Sequence, residues 1–427
     1  MTSAATVLRP QDLGEVQAAL RDTTGPLQIA GAGTAATWAG LLAPVDAVLD
    51  TTALTGVITH NPGDMTVAVR AGTPLAALHD ELAEHAQHVS LDAARIAEGA
   101  TVGGLLATGD AGPAALVFGS LRDVVIGVTL VLADGTVARA GGHVIKNVAG
   151  YDLAKVVHGS YGTLAVVAEV VLRLHPVPKA AVTVELPCSL AEAAEVAARV
   201  LGGPTEPAAL EWTSDDLLLL RIEGTAAALE ARTARVRELL GAAAVVAGGS
   251  GSSRDAGGAA GAGGADGAGG ADGAGGADGA GGADGAAINA GGADGAAGGV
   301  GGAGHAGGDD PWARHAALTR GDPAAAVVRI GVRPSRLPAL LASLPVMAAT
   351  AGLGTGVATV TVPAGAVADV HARVHAAGGT SVLRARPAGA HLPAWGPPPS
   401  AVGVLRAVKH AFDPDDRLGP GRFDPWM

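Results

Sequence analysis

Residues 119–178 read GSLRDVVIGVTLVLADGTVARAGGHVIKNVAGYDLAKVVHGSYGTLAVVAEVVLRLHPVP. Two runs in this stretch, 124–132 and 164–174, are dense in valine and leucine, and both read as β-strands. Asp134-Gly135 supplies a turn after the first run, and a partner strand begins at Thr136. Pro176 and Pro178 punctuate the chain and mark a domain boundary. Between the runs lie Lys146-Asn147-Val148-Ala149-Gly150-Tyr151-Asp152-Leu153 and Gly159-Ser160-Tyr161-Gly162-Thr163-Leu164. Glycine, amide and hydroxyl groups crowd these connections.

Further upstream the same chemistry recurs. Gly31-Ala32-Gly33-Thr34-Ala35-Ala36 follows a short strand over 27–30. Ala100-Thr101-Val102-Gly103-Gly104 continues to Gly109, and Gly119-Ser120-Leu121-Arg122-Asp123 enters the strand at 124. Four such loops in the first 165 residues suit a long anionic cofactor gripped by backbone amides and short hydroxyls. The first loop also fits the dinucleotide fingerprint G-x-G-x-x-G/A, with Asp50 about 20 residues on. A Rossmann unit needs a full helix after that loop. Here only 37–43 precede Pro44, and Gly40 weakens them. A helix over 11–20 also stands where a first strand is required, so the match reads as a turn.

The remaining elements are short and mixed. Strands are expected at 45–49, 56–59, 66–70, 217–222, 325–332 and 356–362. Helices are expected at 74–84, with Pro74 in the first turn, and at 190–200, 227–240 and 400–409, the last with Ser400 as N-cap. The fold class is α+β.

Composition narrows the function. The 427 residues carry a formal charge of −12 and no basic run, which argues against nucleic acid as a partner. The single cysteine, Cys188, excludes an internal disulfide, an iron–sulfur cluster and a cysteine-rich zinc site. No signal peptide is visible at the N-terminus, and no apolar run reaches the roughly 18–20 residues of a membrane span. A cytoplasmic protein is expected, peripheral at the inner membrane face through partners. Eight aspartates and no lysine or arginine lie within 255–310, and 28 of the 66 glycines fall in 247–308. The hexamer GGADGA repeats four times in tandem over 263–286. Calcium β-roll repeats have a period of about nine with an apolar position in each. This repeat has neither, so 247–308 reads as a flexible, disordered insert.

The order of the four loops resembles the FAD-binding domain of the p-cresol methylhydroxylase / vanillyl-alcohol oxidase (PCMH-type) family. Residues 119–178 are most similar to the E subunits of bacterial glycolate oxidases. The likeness covers about residues 5–180 and returns in Leu405-Arg406-Ala407-Val408-Lys409 through Phe412-Asp413-Pro414 to Leu418-Gly419-Pro420-Gly421-Arg422. It implies a two-subdomain FAD-binding domain over 1–178. A smaller α+β cap over 179–246 and 309–403 is interrupted by the insert, and a C-terminal segment, 404–427, returns to the FAD domain. Gly31, Ala32, Gly33, Thr34 and Ala35 take the family's pyrophosphate loop, and Thr101, Gly103, Gly104 and Gly109 its second segment. Gly119 and Asp123 take a glycine-to-aspartate turn. Gly159, Ser160, Gly162, Val166 and Val167 take the segment along the flavin. Tyr161 replaces the family's usual glutamate there, and Ala165 its usual glycine. No histidine lies between Gly31 and Leu42, so FAD is expected to be non-covalent.

The resemblance implies an oxidoreductase that converts glycolate or a related 2-hydroxy acid to the 2-oxo acid. Its partners would be a second flavoprotein subunit and an iron–sulfur subunit. Such chemistry needs a base for the hydroxyl proton and a cation for the carboxylate. His143, Lys146 and Tyr151 are the nearest catalytic candidates, with Lys155 beside them. Structural support of the cofactor loop competes with catalysis at Lys146 and Tyr151. Arg384, Arg386 and His391 fall where related enzymes build the substrate side. His371 and His375 lie four apart on a helix, but no third ligand is evident and no metal site is expected. Two alternatives stay open: an assembly subunit that holds FAD without turnover, and an independent flavin enzyme of the same fold such as a UDP-N-acetylenolpyruvoylglucosamine reductase. Deleting residues 255–305 should leave flavin content and melting temperature nearly unchanged; a large fall in either, by absorbance or thermal unfolding, would show that the insert is structural.

Overall fold

The computed structural model describes residues 5–144, 151–247 and 310–427. All of the expected insert but Ala247, which ends the strand Val245–Ala247, and Lys146 lie outside the described residues. Three sheets carry the fold, together with a two-stranded pairing of Gln87–His88 with His175–Pro176. The smallest of the three is parallel, with Ala47–Asp50 between Thr6–Leu8 and Leu27–Ala30. The second is antiparallel and five-stranded, in the order Val57–Asn61, Thr66–Arg70, Val166–Arg173, Val125–Val131, Val137–Gly141. The two runs that open the reading of the sequence are its central strands.

Those strands are apolar on both faces because both faces are covered. Val128, Leu130, Val167 and Val170 join a core with Leu75, Leu78 and Leu106. Val131, Val166 and Ala168 join a second core with Val16, Leu20, Leu27 and Leu49. Successive side chains point to opposite faces, so one sheet serves two layers. The helix Leu13–Asp22 starts at Asp12, whose carboxylate accepts from the Glu15 amide at 2.9 Å. The strand Thr6–Leu8 precedes it, contrary to the expectation that a helix comes first. Thr6 and Val7 are exposed and Leu8 is only half-buried, so no burial pattern marks it in sequence.

The third sheet has eight strands, all antiparallel. One half is built from Ala180–Pro187, Ala209–Thr213, Leu217–Gly224 and Val245–Ala247 with helices Leu190–Leu201 and Ala226–Leu240. The other uses Ala326–Gly331, Ala348–Gly352, Val357–Val362 and Thr380–Ala385 with helices Leu337–Ser343 and Val367–Ala376. Each is a βαββαβ unit, and the two join where Glu211, Trp212 and Thr213 pair with Gly352, Ala351 and Thr350. On one sheet face Val328, Ile330, Val360 and Leu383 pack on the helices. The opposite face is polar, with Glu211, Thr213, Thr350, Thr359 and Arg384 all buried.

Two helix starts differ from expectation. Pro74 is the N-cap, outside the helix Leu75–Ala83, because the Leu75 amide is taken by the Ala100 carbonyl at 3.0 Å. The last helix runs Val402–Phe412 without a side-chain cap. Ser400 sits instead in a turn in which the Val402 amide donates to Pro399.

The C-terminal segment locks the layers together. Lys409 Nζ donates to the Thr163 and Leu418 carbonyls at 2.9 and 3.0 Å and pairs with the buried Asp413. Asp413 also accepts from the amides of Arg417 and Leu418. The Arg417 guanidinium donates to Ala133 at 2.8 Å and to Leu20 and Thr23. Removing Asp413 leaves the buried Lys409 only the exposed Asp416, 3.0 Å away, as an ion partner, and breaking a buried pair is strongly destabilising. Asp413→Ala should therefore cost about 3–5 kcal/mol in urea unfolding; a loss below ~1 kcal/mol would show that the clasp carries little.

Candidate functional site

A cleft of about 930 Å³, counting its open mouth, lies between the parallel sheet and the five-stranded sheet. The first glycine loop forms one wall. Gly33 has φ +77°, and a Cβ built there would meet nothing within 4 Å, so the backbone faces open space. Gly31 is held closely: a Cβ would stand 2.7 Å from Thr101 Oγ1. The opposite wall begins with Thr101, whose hydroxyl accepts from the Gly104 amide at 3.1 Å. Gly103 donates its amide to Ala71 O at 2.7 Å, and a Cβ there would stand 2.8 Å from Ala71 Cβ. The first loop comes close to the Thr101 side chain because Gly31 has no Cβ there, and Gly103 packs on Ala71 for the same reason.

The sequence candidates divide between the wall and its support. Gly31, Ala32, Gly33, Thr34, Ala35, Thr101, Gly103, Gly104, Gly162 and Val167 line the cleft. Gly109, Gly119, Asp123, Gly159, Ser160 and Val166 do not. Gly109 ends the helix Val102–Thr108 at φ +62°. Gly119 and Asp123 make the turn before the five-stranded sheet, where the Asp123 carboxylate accepts from the Ser120 amide at 2.9 Å. Gly159 donates to Leu106 O, and the Ser160 carbonyl accepts from Thr163 Oγ1 at 2.8 Å. Val166 points into the opposite core from Val167, its neighbour, as the two-residue period of a strand requires.

Of the catalytic candidates, the two among the described residues, His143 and Tyr151, do not line the cleft. His143 Nδ1 lies 2.9 Å from Thr66 Oγ1 and 3.2 Å from Asn61 Nδ2. Tyr151 is 90% exposed, and Lys155 pairs with Asp152 at 2.8 Å. His371 is buried against Ser381 Oγ at 2.6 Å and Pro393 O. Among the described residues, no three His, Cys, Asp or Glu side chains gather to hold a metal.

Sequence reading named Arg384 for the substrate side but missed the buried charged cluster that it joins at the end of the cleft. Trp38, Arg95 and Asp110 line it. Arg95 and Arg384 place their guanidiniums 4.1 and 3.8 Å from the centroid of the Trp38 ring. Arg384 Nη2 lies 2.8 Å from Asp110 Oδ1, with both side chains almost fully buried. Arg95 Nε donates to Thr34 O at 2.9 Å, tying the cluster to the first loop. Burial, reinforced by the charge of Arg384, pulls Arg95 and Arg329 down to about 10. Tyr161 lines the same cleft at φ +53°, its hydroxyl pushed up by burial. Trp395 and Phe423 pack edge-on against its ring. Arg386 donates to Ala39 O instead of reaching the cleft, and His391 is not among the lining residues. No pattern in sequence singles out Trp38, Arg95 or Asp110, which lie in separate loops.

These features fit a long ligand with anionic and polar parts. Comparison with known proteins agrees. Residues 4–141 match the family model of an FAD binding domain. The chain is 35% identical over 230 residues to the glycolate oxidase subunit GlcE of Escherichia coli, covering 54% of this chain and 63% of that protein. It is 34% identical over 215 residues to a D-lactate dehydrogenase of Archaeoglobus fulgidus, covering 48% and 46%. Glycolate oxidase subunit GlcD of Bacillus subtilis is 37% identical over 121 residues, covering 28% and 26%. The chain thus spans less than two thirds of each of these relatives. An alkyldihydroxyacetonephosphate synthase structure superposes with a TM-score of 0.61 at 14% identity, covering 97% of this chain and 75% of that one, which establishes the shared fold. Gly33→Val should cost about 1–2 kcal/mol in stability from its left-handed backbone and abolish flavin retention; visible absorbance equal to wild type would show that this wall does not touch the cofactor.

Proposed function

We propose that this chain, which carries an FAD binding domain of the matched family at residues 4–141, is the FAD-binding subunit of a glycolate oxidase-like complex. It oxidises glycolate or a related 2-hydroxy acid to the 2-oxo acid. The observation that carries this reading is the cleft. Two glycine loops present bare backbone to it, and its far end holds cations with too few carboxylates beside them. The likeness to a glycolate oxidase subunit and a D-lactate dehydrogenase supports the substrate class.

In this reading residues 1–178 form the FAD domain, 179–246 and 309–403 the cap, and 404–427 the returning segment. Gly31, Ala32, Gly33, Thr34 and Ala35, with Thr101, Gly103 and Gly104, hold the diphosphate through amides and short hydroxyls. Gly162 and Val167 flank the ring. Gly109, Gly119, Asp123, Gly159 and Ser160 shape the turns behind, and Val166 packs beneath them. FAD supplies the two-electron acceptor for the substrate C–H bond. The first loop, Gly31 to Leu42, has no histidine, which supports FAD held without a covalent bond. Cys188 cannot furnish a cluster, and the likeness to glycolate oxidase subunits supports electrons leaving through a second flavoprotein subunit and an iron–sulfur subunit. No helix among the described residues is long and apolar enough to cross a membrane; attachment at the inner membrane face runs through those partners.

An assembly subunit that binds FAD without turnover is the second reading. It is favoured by the lack of any histidine or lysine among the described residues lining the cleft. A visible spectrum of the purified chain, before and after anaerobic glycolate or D-lactate, separates the two. Bleaching of bound flavin is expected. Bound flavin that does not bleach supports the assembly reading, and protein that stays colourless after incubation with FAD and desalting overturns both.

A further inference from the structure

Three groups on residues that line the cleft are buried without a hydrogen-bond partner: Trp38 Nε1, Arg95 Nη1 and Asp110 Oδ2; behind them Arg384 Nε and Nη2 also lack one, although Nη2 is in ion-pair contact with Asp110. Their residues are 1%, 7% and 2% exposed and all line the same cleft. Buried polar groups are almost always paired, so three orphans facing one space describe the ligand that fills it. It must offer acceptors to Trp38 and Arg95 and a donor to Asp110.

Charge narrows the choice. Arg384 is engaged with Asp110 Oδ1 and stacks on Trp38. The side chain of Arg329, whose charge acts on Arg384 and Asp110, makes no hydrogen bond among the described residues. Arg95, Arg329 and Arg384 therefore face one carboxylate, and the cluster carries excess positive charge. A neutral ring edge that alternates acceptors and a donor meets the hydrogen bonds and leaves that charge standing. An anion with a neighbouring hydroxyl meets both.

We propose that Trp38, Arg95 and Asp110 are the specificity-determining residues for the head group of a 2-hydroxy acid. The carboxylate takes Arg95 Nη1 and Trp38 Nε1, and the 2-hydroxyl donates to Asp110 Oδ2. Arg384 is a positioning residue that fixes the Asp110 carboxylate and the Trp38 ring. This assignment rests on the oxidation reading for the identity of the ligand. Its consequence is discrimination. A carboxylic acid lacking the hydroxyl leaves Asp110 Oδ2 unpaired, and sites built to bond a hydroxyl reject such analogues strongly.

The test uses the full chain with its flavin reduced by dithionite, so that no turnover intervenes, and equilibrium dialysis against labelled glycolate and labelled acetate. Wild type should bind glycolate at least about tenfold more tightly than acetate. Trp38→Phe, which keeps the stacked ring and loses the donor, and Arg95→Lys should weaken both ligands about tenfold or more with flavin content unchanged. Asp110→Asn should erase the preference while acetate affinity holds; its melting temperature and flavin content show whether the fold survives. Should Asp110→Asn unfold, the Trp38→Phe and Arg95→Lys results still decide. Variants that lose flavin and keep the glycolate-to-acetate ratio would show that these groups read the cofactor and would overturn the proposal. Retained discrimination in a protein whose oxidised flavin glycolate never bleaches would defeat the oxidation reading alone.

Discussion

The cleft depends on how its first wall is held. In a dinucleotide-binding unit a helix follows the glycine loop and anchors it. Here residues 31–43 lead into no helix, and the C-terminal segment does the anchoring. Arg422 donates to the carbonyls of Ala36, Trp38 and Gly40 at 3.1, 2.8 and 3.2 Å. The Gly40 amide returns a bond to Arg422 O at 2.9 Å, and a Cβ at Gly40 would fall 2.1 Å from Gly421 O. One guanidinium thus satisfies three carbonyls that a helix would otherwise have paired. Ala39 also donates to Leu383 on the eight-stranded sheet at 2.8 Å. The loop that carries Trp38 is therefore fixed from two sides by chain more than 300 residues away.

That anchoring sets the electrostatics. Fixing Trp38 puts an indole face where two guanidiniums can stack, an arrangement that softens the cost of burying them. Asp110 neutralises only one of the cluster's charges. Such a centre is expensive in the empty protein and favourable around an anion. The polar face of the eight-stranded sheet contributes Arg384 from the strand Thr380–Ala385, so residues of both layers build one end of the cleft.

Legibility in the sequence followed burial. The strands Val125–Val131 and Val166–Arg173 were readable because both faces are buried and the residues are nearly all apolar. The helix Leu190–Leu201 was readable from its spacing, and its capping box of Ser189 and Glu192 confirms the start. Ala348–Gly352 was not readable, since alanine and glycine show no strand preference and one of its two partners, Ala209–Thr213, is remote. Arg384, on an otherwise apolar strand, reads as solvated until its partner Asp110 is known.

The amino-acid order alone determined the glycine loops, their sequence along the chain, the low-complexity insert and the central strands, because each is a matter of local backbone freedom or short-range periodicity. The cluster of Trp38, Arg95, Asp110 and Arg384 was decided by tertiary structure. Its members come from three loops of one layer and a strand of another, and the value of each charge depends on which opposite charge lies within a few ångströms of it once water has been removed.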